Sequence, residues 1–161
     1  MNPTITDFKD WLIDTTIEVY NKQGAYMPII ATVNEDYDIG MIPIDAYYHG
    51  DRSAFVKNIL SKIVQDTKAI ALCLISEALV SKKDKRNNET VEEKHCLILH
   101  FHTYDMDAMV TFDIEQDDDG RSYISRKTIV DKGWKELNPK ETAPLNRLMR
   151  RAVVASLISS N

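Results

Sequence analysis

The 161-residue sequence predicts an α+β domain: a largely antiparallel sheet of about six strands, with helices packed on one face. The expected order is α-β-β-α-β-β-β-β-α. Three observations carry this. Residues 68–80, KAIALCLISEALV, are apolar almost throughout, as in a strand covered on both sides. Residues 95–105, HCLILHFHTYD, alternate with period two, the mark of a strand with one buried face. Segments with apolar residues at helical spacing stand before, between and after the predicted strands.

A chain of this length makes one domain, residues 1–161. With 43% hydrophobic and 28% charged residues it has enough apolar material for a core and does not read as disordered. A net charge of −5 argues against a nucleic-acid binder. No apolar run reaches the ~18 residues of a membrane span, and MNPTITDFKDW lacks the basic-then-apolar pattern of a leader. Cys73 and Cys96 sit inside apolar strands with neither metal-binding nor dense disulfide spacing, so reduced core thiols and a cytoplasmic location are expected.

In chain order, residues 4–21 form an amphipathic helix with Ile5, Phe8, Leu12, Thr16 and Val19 on one stripe and Trp11 at its edge. Thr4 and Asp7 suggest a capping box, and Gly24 a stop. Residues 26–33 and 39–44 flank NEDYD as a hairpin. Pro28 and Pro43 place it at a sheet edge, since proline donates nothing to a ladder. Residues 45–50 connect to a second helix, capped by Asp51 or Ser53 and running to Gln65. Its stripe is Phe55, Val56, Ile59, Leu60, Ile63 and Val64.

The strand of residues 69–75 follows. Residues 81–94, SKKDKRNNETVEEK, offer little apolar surface and read as a mobile loop. Further strands are expected at 95–104, 108–115 and 122–130, with Asp119-Gly120 as a turn. Thr142 and Pro144 open a last helix reaching Ser159, with Leu145, Leu148, Met149, Ala152 and Leu157 inward.

YMPIIATVN, the helix after it and the strand ending in Ser76, Glu77 and Ala78 resemble a pattern in small uncharacterised α+β proteins of bacteria, phages and mobile elements. There a tryptophan often follows Ser-Glu-Ala; here Leu79 stands in that place. The resemblance covers the middle third of the chain and implies a fold, with no activity attached.

Phase within each strand suggests a core of Leu72, Leu74, Leu97, Leu99, Val110 and Phe112 under the helices. Cys73, Ile75, Cys96, Ile98, His100 and His102 then share an open face with Thr111, Asp113 and Glu115. Two imidazoles at His-x-His spacing on one side of a strand can begin a metal site, completed by Asp113 or Glu77. No metal or cofactor is expected, however, and no catalytic set stands out. The imitation of a calcium loop at Glu115-x-Asp117-x-Asp119-Gly120 has Arg126 where the bidentate acid belongs. With 5 Gly in the chain there is no phosphate-binding glycine loop. Arg147, Arg150 and Arg151, beside Lys140, make one basic side of the last helix and a candidate anion-binding surface.

These features point to a non-enzymatic protein-interaction module that binds a protein partner or itself; the resemblance adds the expectation of a phage- or mobile-element-encoded modulator of host proteins. The alternative is a metal-dependent hydrolase built on His100 and His102. Self-association through Ile98 is the expected way to cover the open face.

Overall fold

The computed structural model describes residues 2–25, 29–43 and 59–138 of the chain. Helix α1 spans Pro3–Gln23. Its cap is Asn2, whose side chain accepts from the Thr4 N–H at 2.9 Å, with Pro3 in the first turn. The helix therefore begins just ahead of the expected Thr4–Asp7 box, because proline loses nothing where N–H groups have no partner. It ends at Gly24, in the left-handed region at φ 70°, whose N–H bonds the Tyr20 carbonyl.

Strands β1 (Ile29–Val33) and β2 (Ile39–Pro43) form the expected hairpin, and β2 ends the strand order among the described residues. Helix α2, Ser61–Thr67, leads through a left-handed Lys68 into β3, Ala71–Lys83. Then come β4, Thr90–His102, and β5, Met106–Asp113. The short strands β6 (Glu115–Gln116), β7 (Ser122–Tyr123), β8 (Val130–Asp131) and β9 (Lys135–Glu136) finish the described chain. The main sheet has seven strands in the order β2-β1-β3-β4-β5-β8, with β9 also on β5 and every pairing antiparallel.

One face of the sheet is covered by α1. Ile5, Phe8, Leu12, Ile13 and Tyr20 meet Ala31 and Val33, Ala71, Cys73 and Ile75, Leu97, Leu99 and Phe101, and Ala108, Val110 and Phe112. Phe8 and Phe101 meet edge to face at 6.1 Å, and Trp134 does the same to Phe101 at 6.0 Å. Each large apolar side chain closed off here contributes about 1.5–3 kcal/mol.

The expectation that the helices share one face is corrected. Leu60 and Val64, at the start of and within α2, pack on Ile30, Leu72 and Leu74, which point away from α1. Register gives the reason. Leu72 lies opposite His102 and Leu74 opposite His100, whereas Cys73 lies opposite Phe101 and Ile75 opposite Leu99. Paired residues of adjacent strands share a face, so Cys73 and Ile75 belong to the α1 core and Leu72 and Leu74 to the second face.

Two further expectations change. The segment read as a mobile loop is mostly strand, narrowed to a turn at Asp84–Glu89. The strand expected at 122–130 breaks at a 3-10 turn, Arg126–Thr128. There Ser125 caps the Lys127 N–H and Thr128 Oγ1 accepts from the Asp113 N–H. The last predicted helix and the start of the second lie outside the described residues.

Candidate interaction surface

The second face is laid out by register in rows across the sheet. Leu72, His102 and Asp107 form one row, and Leu74, His100 and Met109 the next. Ser76, Ile98, Thr111 and Val130 follow, then Ala78, Cys96 and Asp113. Beyond these, Val80 stands opposite Lys94 and Lys82 opposite Glu92. α2 covers the end of this face that carries Leu72 and Leu74. Met109, Val130 and Val80 stay 47–50% exposed, and Ile98 is half-buried between them.

The two histidines do share this face. Their rings lie 4.0 Å apart, with His102 buried and the His100 Nε2 3.4 Å from Asp107 Oδ2. Asp107, one row along on β5, was not anticipated; its position follows from the tight turn at Thr103–Met106, held by the Thr103 N–H on the Met106 carbonyl.

Asp113 is on the same face but two rows from His100. Its carboxylate lies 3.7 Å from Lys94 Nζ and 3.8 Å from the Cys96 Sγ. Glu77 stands on the α1 side, 3.1 Å from His95 Nε2. There its charge is the second cause, after burial, that pushes the Tyr20 hydroxyl up from its ordinary pKa. Neither acid therefore joins the histidine pair, and no three metal-binding side chains converge among the described residues. Arg147, Arg150 and Arg151 lie outside those residues.

Both cysteines are free and buried. Burial pushes the Cys73 thiol well up, and burial with the Asp113 charge pushes up that of Cys96. Both stay protonated at neutral pH and are poor nucleophiles. What the face presents instead is an apolar band bordered by charges of both signs, a composition suited to contact.

The ribbon at the end of β3 and β4 is the part sequence reasoning missed. Leu79, Val80 and Val91 are 50–67% exposed on it. The legible signal was Val80-x-Lys82 set against Glu92-x-Lys94, an alternation that charge obscured. Among the described residues no helix is long and apolar enough to cross a membrane. Compared with models of protein families, with curated proteins and with solved structures, the chain shows no match.

Proposed function

We propose that this chain acts by binding another protein chain through the second face of its sheet, without catalysis of its own. The observation that supports this is the row Ser76, Ile98, Thr111 and Val130, with Met109 and Val80 on either side, left accessible on a sheet whose other face is closed by α1. Accessible apolar side chains gathered on one face mark contact surfaces more often than scattered ones do. The mixture of Lys94, Asp113, His100 and Asp107 around them suits a protein partner better than a polyanion.

A photo-crosslinking residue at Met109, installed in the full chain inside cells, tests this. The expected result is a discrete protein adduct that disappears when Ile98→Lys is added. A probe at Asp10, exposed on α1, should give none. Equal labelling from both positions, or none from Met109, overturns the proposal.

A further inference from the structure

Strands β3 and β4, 13 residues each, outrun their neighbours. Among the described residues β1 follows β3 to Ile75, and β5 follows β4 to Cys96, with one further bond from the Ile114 N–H to the His95 carbonyl. Past those points residues 77–83 pair only with β4 and residues 90–94 only with β3 among the described residues, a ribbon roughly 20 Å long. A two-stranded ribbon is marginal in water by itself, and this one exposes Leu79, Val80 and Val91.

Charge on the ribbon is polarised. β3 and the turn carry Lys82, Lys83, Lys85 and Arg86 around Asp84, whereas the β4 side carries Glu89, Glu92 and Glu93 ahead of Lys94. Charged side chains along both edges and the register shift between Lys82 and Lys83 oppose addition of a further strand edge to edge. The faces remain. On the second face, Lys82 and Glu92 form one row and Val80 and Lys94 the next, continuous with Ala78, Cys96 and Ile98.

Resting on the binding role proposed for that face, we propose that its occupant is a second copy of this chain, ribbon against ribbon. The two-fold axis runs along the ribbon, so that β3 of each copy lies over β4 of the other. That axis sets the basic strand on the acidic one. Lys82 then meets the partner's Glu92 twice over, and Val80 covers the aliphatic stem of the partner's Lys94. A two-fold axis across the ribbon would instead lay each strand on its own copy, so that Lys82 could not meet Glu92. The Lys82–Glu92 contact is therefore specific to the axis along the ribbon.

Sedimentation velocity of the full chain at ~100 μM tests this, with Lys82→Glu, Glu92→Lys and the double variant. The wild type should be dimeric, and each single variant should dissociate roughly tenfold more readily, since two symmetry-related pairs are reversed at once. Mixing the two single variants should restore the dimer, because every cross-copy pair again joins opposite charges. The double variant should restore it too, and it keeps the cross-strand pair inside each ribbon, which guards against loss of the hairpin.

A monomeric wild type overturns the inference, as does a dimer indifferent to either single change. Recovery in the double variant but not in the mixture also overturns it, since the charges then act within one chain. A monomeric wild type that still gives Met109 adducts removes self-association and leaves the binding role standing.

Discussion

Lys9 of α1 and Asp131 of β8 meet at 2.7 Å, joining the first helix to the far side of the sheet across 122 positions of sequence. The lysine side chain is 9% exposed and the carboxylate 30%. Burial alone would raise the Asp131 pKa, but the hydrogen bonds from Lys9 and the Gly133 N–H, with the lysine charge, hold it below the ordinary 3.8. A carboxyl whose folded pKa is depressed stabilises the fold above its unfolded pKa. That contribution is lost as pH falls through the folded value. Lys9→Met should cost about 1–3 kcal/mol at pH 7 by leaving a half-buried carboxylate without its cation. Asp131→Asn should flatten the stability profile below pH 3.8. Urea titrations across pH measure both; an unchanged acid limb in the asparagine variant would remove Asp131 from the account.

Leu99 is fully buried against α1 in the middle of β4. Leu99→Ala should cost ~2–5 kcal/mol in chemical denaturation, the range for a leucine whose cavity cannot collapse. A loss under ~1 kcal/mol would contradict its place in the core.

Gly40 faces Thr32 across the hairpin so closely that a Cβ there would come 2.8 Å from Thr32 Oγ1. Thr32 is buried and has little room to give way. Gly40→Ala should destabilise by about 1–3 kcal/mol, as overpacking does. Adding Thr32→Ala should recover part of that loss; strict additivity in the double variant would show that the contact is not the cause.

Zinc should leave the melting temperature unchanged, because Asp113 is held at Lys94 and Glu77 sits on the opposite face from His100 and His102. A rise of several degrees at micromolar zinc, lost in His100→Ala, would mean that a third ligand reaches the pair.

The ribbon should be dispensable for folding. Replacing residues 81–93 with Asn-Gly, which closes a tight hairpin between the paired Val80 and Lys94, should leave the melting temperature within a few degrees of the parent. In the intact chain trypsin should cut first after Lys85 or Arg86, in the turn, and spare Lys94. Early cleavage within α1 would show that the ribbon is the firmer element.

The alternation in β4 made Leu97, Leu99 and Phe101 legible as core, and the prolines placed β1 and β2 at an edge. The phase of β3 was not legible. Residues 69–75 are apolar at every position because α1 buries one side of the strand and α2 the other, and a strand buried on both sides carries no period. Its face is fixed by register with β4, which passes through the turn at Asp84–Glu89 and the shift at Lys82. Glu77, in phase with Cys73 and Ile75 as expected, goes with them to the α1 side, away from His100 and His102. The ribbon escaped notice because its strands are matched by charge, Lys82 to Glu92, where an apolar alternation would have shown.

β3 has a mechanical consequence. It is a single strand from Ala71, deep against α1, to Lys83 beside the ribbon tip. Ladder hydrogen bonds of antiparallel strands lie perpendicular to the chain. Tension applied at the tip therefore loads the bonds from β3 to β1 together, in shear, instead of peeling them apart one at a time. Whatever grips the ribbon holds the molecule by the strand that anchors both of its layers, and it can pull hard before the core gives way.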